Sequence, residues 1–259
     1  MTIDHAHWAQ YLLAGVDERR ELQAITKQVD ELSIDDAYAI QAAALELQLA
    51  RGDTLAGAKL GLTSAAKQEQ MGVDEPVYGW VPASSVITDG EVSLGELIHP
   101  RIEPELVFVL AEDLAGPNVT ADDALDATRE VVGGIEVIDS RYEAFSFTLT
   151  DVIADNTSAA RVVIGSDGVS PREVDLATID CSFEVDGEIT GSATGAALLG
   201  SPAECLAMLA NHLGKHGQKL EAGWFVMAGA PTDARPLSIG TNATARYSNL
   251  GSVTITGKA

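Results

Sequence analysis

The stretch His99-Pro-Arg-Ile-Glu-Pro-Glu-Leu-Val-Phe-Val-Leu110 places two acids, two residues apart, at the start of an apolar run of strand length. Successive side chains on a strand point to opposite faces, so Glu103 and Glu105 share one face and Pro104 lies on the other. Two carboxylates converging at the mouth of a buried strand repel each other unless a proton or a cation lies between them. Ligation by oxygen alone favours Mg²⁺ or Mn²⁺ over Zn²⁺. A third acid, Glu136, interrupts the apolar run Val131-Val-Gly-Gly-Ile-Glu-Val-Ile-Asp139, where a lone charge is expensive to bury. Three carboxylates supply most of the protein's share of an octahedral site and leave positions for water and a chelating substrate. The competing arrangement has the acids at strand edges or on the surface, or paired with Arg101 and Arg141.

The rest of the chain describes the scaffold around these acids. With 259 residues, 46% of them hydrophobic, it suits one large globular domain with a helical N-terminal portion (1–55) ahead of a catalytic portion (56–259). Residues 4–50 read as helical: Ser33 caps a long amphipathic segment with Asp35 and Asp36 in its first turn, and Gly52 ends it. From there the pattern shortens to strands over 55–62, 77–81, 102–110, 134–138 and 161–164. Helices are expected over 120–132, capped by Thr120, and over 202–216. Later strands fall at 180–185, turning at Asp186-Gly187, and at 224–228, 243–247 and 253–256. This is an α+β pattern without regular βαβ alternation, and neither a GxGxxG nor a P-loop sequence is present.

A formal net charge of −23, from 39 acidic and 16 basic residues, opposes nucleic-acid binding. The acids are scattered and read as a solvated surface. No apolar run approaches the roughly 20 residues needed to cross a bilayer, and Met1 to Gly15 lacks the layout of a signal peptide; the expectation is a cytoplasmic protein with no membrane partner. Cys181 and Cys205 lack metal-ligand spacing and read as buried thiols.

At the acidic motifs the chain resembles the fumarylacetoacetate hydrolase superfamily. Within it, the resemblance is to the 2-oxopent-4-enoate hydratases and 4-oxalocrotonate decarboxylases of aromatic meta-cleavage pathways. The likeness runs through Gly57-Ala-Lys-Leu-Gly-Leu-Thr-Ser64, Met71-Gly-Val-Asp-Glu-Pro76, Pro100-Arg-Ile-Glu-Pro-Glu105, Ile135-Glu-Val-Ile-Asp-Ser-Arg-Tyr142, Asp151-Val-Ile-Ala-Asp-Asn-Thr-Ser158 and Met227-Ala-Gly-Ala-Pro-Thr232. It implies a rolled mixed β-sheet with a helical N-terminal portion, and Mg²⁺ or Mn²⁺ held by Glu103, Glu105 and Glu136. It also implies a small 2-oxo dicarboxylic acid as substrate, chelated through its C1 carboxylate and C2 oxygen. Decarboxylation of 2-oxohex-3-enedioate would give 2-hydroxypenta-2,4-dienoate. A hydratase would instead ketonise that dienoate and add water at C4. Glu-Pro-Glu at 103–105, with Ser140-Arg-Tyr142 and the run 147–158, looks more like the decarboxylases. A homo-oligomer, and a complex with a homologous hydratase, are further implications of the family.

Single residues follow. Lys59 interrupts an apolar strand, where burial lowers its pKa or sets its ammonium against substrate or an acid; the family likeness assigns it to substrate polarisation or proton transfer. Asp74 and Glu75 precede Pro76, where acids are common in turns, and one of them is the candidate acid/base group. Thr63, Ser64 and Ser158 are candidate donors to substrate carboxylates, each with a helix cap as its alternative. Thr232 joins them by family position. Arg141 either pairs with an acid or meets the distal carboxylate of the substrate.

Overall fold

The computed structural model describes residues 2–64, 68–69 and 76–259. The N-terminal portion consists of α1 (His5–Glu18) and α2 (Ile34–Ala50). Ser33 caps α2 reciprocally: its hydroxyl accepts the Asp36 N–H while the Asp36 carboxylate accepts the Ser33 N–H. The helix ends at Arg51, and Gly52 follows at φ +98°, the left-handed turn that favours glycine. Trp8, Leu12, Ala37 and Ile40 pack against Val77, Tyr142 and Ile153, so the helical portion shares a core with the strands that follow.

Those strands are β1 (Leu55–Gly61), β2 (Val77–Pro82), β3 (Val86–Ile87), β4 (Glu91–Ser93), β5 (Arg101–Leu110), β6 (Thr128–Ile138) and β7 (Ala159–Ile164). They continue with β8 (Asp180–Val185), β9 (Glu188–Thr194), β10 (Phe225–Met227), β11 (Arg235–Pro236), β12 (Asn242–Tyr247) and β13 (Gly251–Lys258). Short helices α3 (Ala121–Asp126) and α4 (Leu149–Ala154) and the longer α5 (Pro202–Lys215) interrupt them. One mixed sheet runs β2-β1-β10-β5-β6-β7-β3, with β11 pairing onto β5. Its two edge strands, β2 and β3, are joined by Ala83–Ser85 alone, so the sheet curls until its edges meet. A second sheet, β4-β13-β12-β8-β9, packs on its outside.

The curl gives each strand an inner and an outer side. Outward-facing Ala58, Leu60, Ile102, Leu106, Phe108, Val131, Ile135 and Val137 join Ile255, Ala243 and the buried stripe of α5 in the main core. Inward-facing Val81, Val107, Val132, Val162, Phe225 and Met227 form a separate apolar cluster inside the roll. Along the same inner face, towards the start of β5, stand Glu103, Glu105, Glu136 and Lys59. Alternation along each strand dictates this division.

The α+β rolled sheet with a helical N-terminal portion is the architecture the sequence leads one to expect, but two regions differ: residues 19–33, expected to be helical with the rest of 4–50, hold as helix only the 3-10 turn Ile25–Lys27, and the helix expected over 120–132 is cut short. Thr120 caps a helix as anticipated, yet α3 ends at Asp126 instead of running to residue 132, and β6 begins at Thr128. Residues 128–132 pair with Val107–Leu110, and burial of Val131 and Val132 in that ladder outweighs local helical propensity. Both cysteines are unpaired and buried, and burial pushes each thiol up to about 12.

Candidate metal centre

Antiparallel pairing of β5 with β6 sets Glu103 opposite Glu136 and Glu105 opposite Gly134. The three carboxylates each offer an oxygen within 4.8 Å of the others. Glu105 and Glu136 are fully buried and Glu103 is 8% exposed. Glycine at 134 keeps the centre open, because a Cβ there would lie 2.7 Å from Val107 Cγ2. Neither Arg101 nor Arg141 neutralises the acids. Arg101 lies over the Phe145 ring at 3.9 Å, and Arg141 is committed elsewhere.

The cation that does approach is Lys59, 2% exposed on β1, with Nζ 2.7 Å from Glu136 Oε2. It also donates to the Thr157 carbonyl at 3.2 Å. Burial alone would lower its pKa, but Glu136, Glu103 and Glu105 together outweigh burial and hold the ammonium above its ordinary range. Lys59 is therefore charged, and three carboxylates still face one ammonium.

Burial, reinforced by the charge on Glu136, holds Glu105 well above the usual carboxylate range. Burial also raises Glu136, against the pull of Lys59. Glu105 Oε2 accepts the Gly229 N–H at 2.7 Å, whereas Glu105 Oε1 and Glu136 Oε1 have no hydrogen-bond partner among the described residues. Buried carboxylate oxygens left without donors, in an all-oxygen set carrying excess negative charge, fit a hard divalent cation. Mg²⁺ or Mn²⁺ satisfies both the donor chemistry and the charge.

The walls of the centre come from distant segments. Gly229 has φ +106°, and a Cβ there would fall 1.9 Å from Thr63 Oγ1, so glycine lets its N–H reach Glu105 while buried Thr63 stands against it. The Ser64 carbonyl accepts the Gln68 N–H at 3.0 Å. Asn156, Thr157 and Ser158 all adopt left-handed backbone, with φ of 50°, 52° and 59°, a conformation costing about 1–2 kcal/mol per residue. The Asn156 side chain holds this turn to β2, accepting the Trp80 N–H at 2.7 Å and donating to the Trp80 carbonyl at 2.9 Å. Gly79, paired with Lys59, makes room: a Cβ there would lie 2.4 Å from Thr157 Oγ1.

Ser158 is 2% exposed and its hydroxyl has no partner among the described residues. Thr232 packs against Gly191 of β9, with its Oγ1 likewise buried and unpartnered. Asp74 and Glu75 lie outside the described residues. Of the two readings of Arg141, the geometry realises the pairing with an acid. Its Nε meets Asp155 Oδ1 at 2.5 Å, and its Nη atoms donate to the carbonyls of Asp139, Ala159 and Asp155. Reasoning from side-chain types missed the Gly229 N–H and the Thr157 carbonyl, since backbone groups leave only the indirect trace of a glycine or a tight turn.

A curled mixed sheet holding a buried three-glutamate centre beside a buried lysine defines a class of divalent-metal enzymes built on a roll. The chain belongs to the fumarylacetoacetate hydrolase family: residues 48–256 match the family described as fumarylacetoacetate (FAA) hydrolase C-terminal. It is 41% identical over 247 residues to a 4-oxalocrotonate decarboxylase of Pseudomonas putida, covering 93% of this chain and 94% of the relative. It is also 41% identical over 208 residues to a 2-hydroxypent-2,4-dienoate hydratase of Pseudomonas putida, covering 80% of this chain and 94% of that one. The structure of 4-oxalocrotonate decarboxylase from Pseudomonas putida G7, complexed with magnesium and adipate, superposes with a TM-score of 0.95 at 38% identity, covering 98% of this chain and 97% of that one. Among the described residues, no helix is long and apolar enough to cross a membrane.

Proposed function

We propose that the chain is a metal-dependent lyase that converts 2-oxohex-3-enedioate to 2-hydroxypenta-2,4-dienoate and CO₂. The observation that carries this reading is the buried Glu103–Glu105–Glu136 centre with Lys59 against it, in a chain aligned over 93% of its length with a 4-oxalocrotonate decarboxylase. A divalent cation held by the three glutamates supplies Lewis-acid chemistry, drawing electron density towards the C2 oxygen of a bound 2-oxo acid.

This chain's own groups account for the rest. As the C5–C6 bond breaks, its electron pair shifts along C5, C4 and C3 to the C2 oxygen, which then takes one proton. Lys59 Nζ donates to the Thr157 carbonyl and lies 2.7 Å from Glu136 Oε2 as an ion pair, and another of its N–H bonds is the proposed donor to that oxygen. A fixed ammonium in a buried site favours negative charge developing there without reorganisation. Ser158 Oγ, buried and unpartnered, is a donor for the C1 carboxylate, and Thr63, Ser64 and Thr232 are further substrate contacts in this reading. Asp74 or Glu75 is the proposed acid/base group. The apolar cluster of Val107, Val162 and Met227 keeps water from the inner end of the site, which suits loss of CO₂ better than addition of water.

A second reading, hydration of 2-hydroxypenta-2,4-dienoate, is supported by the 41% identity to the hydratase. In either case the setting is aromatic meta-cleavage catabolism in the cytoplasm, with the chain acting as a homo-oligomer or beside a homologous hydratase. Chelator-stripped protein supplied with Mg²⁺ and 2-oxohex-3-enedioate should release CO₂ as substrate absorbance falls. Consumption of 2-hydroxypenta-2,4-dienoate without CO₂ from the dicarboxylate replaces the first reading with the second, and inertness towards both removes both.

A further inference from the structure

Arg141 is 8% exposed; three N–H bonds of its guanidinium have carbonyl acceptors within the protein, and its Nε stands against the Asp155 carboxylate as an ion pair. Their targets are informative. Nη2 donates to the Asp155 carbonyl at 2.7 Å and Nη1 to the carbonyls of Asp139 at 2.8 Å and Ala159 at 3.1 Å, while Nε lies 2.5 Å from Asp155 Oδ1 as an ion pair. The Arg141 backbone N–H closes the ring on Asp155 Oδ2 at 3.1 Å. Asp155 and Ala159 bracket the left-handed turn Asn156–Ser158, so one side chain grips that turn at both ends.

Asp139 extends the grip. Its carboxylate accepts the N–H groups of Ile98 and His99, at 2.8 and 2.7 Å, where the chain approaches β5, and its own N–H donates to the Ser158 carbonyl at 2.8 Å. The start of β5, the end of β6 and the turn are thus tied together behind the metal centre. On the other side of that turn stand the Thr157 carbonyl bonded to Lys59 and the unpartnered Ser158 hydroxyl.

We infer that Arg141 and Asp155 are positioning residues for the reaction: their buried pair holds the turn Asn156–Ser158 in its left-handed form, and through it fixes Lys59 and Ser158. This rests on the proposed lyase function only for its kinetic readout. Three consecutive left-handed residues do not persist without external restraint. The restraint is two-sided, Asn156 on Trp80 in front and Arg141 behind. Asp139, Arg141, Asp155 and Asn156 also line a cavity of about 250 Å³ facing the N-terminal helices, so a turn released from the pair has space to relax into. Lysine at 141 keeps the charge but cannot reproduce the planar fork.

The test uses Asp155→Asn and Arg141→Lys in the full-length metal-loaded protein, at a temperature where circular dichroism shows both variants folded. Loss of kcat by about 100-fold is expected, with KM and Mn²⁺ affinity within about threefold of wild type, because a shift of about 1 Å in a reacting group has that cost. Hydrogen–deuterium exchange should accelerate in peptides spanning 155–160 and stay unchanged in β5 and β6. Gly79→Ala, which crowds Thr157 and Asn156 from the opposite side and leaves the ion pair intact, should give the same kinetic signature. Wild-type kcat in folded Asp155→Asn and Arg141→Lys overturns the inference, as does a rise in KM at constant kcat, the mark of a substrate ligand. If wild type is inert towards both substrates, the proposed function fails while exchange still decides the clamp: unaltered exchange at 155–160 in both variants overturns it.

Discussion

Glu105→Gln should make the metal-free protein more stable and at the same time abolish its response to metal. Without a cation, the three carboxylates lie within 4.8 Å of one another, where each pair of charges repels by about 3 kcal/mol at an effective dielectric constant near 20. Lys59 relieves this chiefly at Glu136, 2.7 Å away. Glutamine keeps an oxygen for the Gly229 N–H and puts an amide donor where Oε1 now has no partner. The expected gain at pH 8 in chelator is about 1–3 kcal/mol, or about 3–10 °C in Tm for a chain of this size. Because the folded protein raises the Glu105 pKa, its stabilising contribution is present at low pH and is lost as pH rises through the raised value. The gap between variant and wild type should therefore narrow as pH falls through the raised value and close in the ordinary carboxylate range. Adding Mg²⁺ or Mn²⁺ at about 100 times its Kd should stabilise wild type by about 2.7 kcal/mol, about 5–11 °C, and leave the variant unmoved. Differential scanning calorimetry with and without chelator reads both effects. A variant less stable than wild type in chelator at pH 8, or one that keeps the metal-induced shift, refutes the account of the centre as a crowded anionic cage.

Lys59→Met should lower kcat/KM by at least about 100-fold while Mn²⁺ binding, followed by titration calorimetry, stays equal or tightens, because the ammonium competes for Glu136; weakened binding would make Lys59 part of the cage. Gly229→Ala places a Cβ 1.9 Å from Thr63 Oγ1 at a φ of +106°, so a loss of about 2–4 kcal/mol in denaturant unfolding and a weaker metal site are expected. Wild-type stability there would mean that Thr63 moves aside freely. Since Glu105 and Glu136 are both raised, metal binding should release protons, and affinity should rise with pH. Calorimetry in two buffers of different ionisation heat measures that release, and identical heats would show that the cage is fully ionised before metal arrives.

Much of the centre was legible because its logic is local. Glu103 and Glu105 converge through two-residue alternation alone, and Glu136 stands out as the acid within an apolar run. Their meeting was not local: it depends on the β5–β6 register that opposes Glu103 to Glu136, which no spacing reveals. Lys59 was visible as a charge in an apolar strand, but its partner was chosen by the curl that brings β1 within reach of β6 through β10 and β5. Arg141 illustrates the limit most clearly. A chain with 39 acids offers many partners, and only the tertiary arrangement selects Asp155. The helix expected to run to residue 132 failed for a related reason, because strand pairing decided the fate of residues 128–132. Strands of two or three residues such as β3, β4 and β11 exist only through their neighbours and carry no periodic signal.

The apolar cluster of Val81, Val107, Val132, Val162, Phe225 and Met227 gives the roll a floor. An apolar floor offers no hydrogen bond to a charged ligand, so a molecule bound in the roll is turned with its polar groups towards the metal centre and its least polar part towards the cluster.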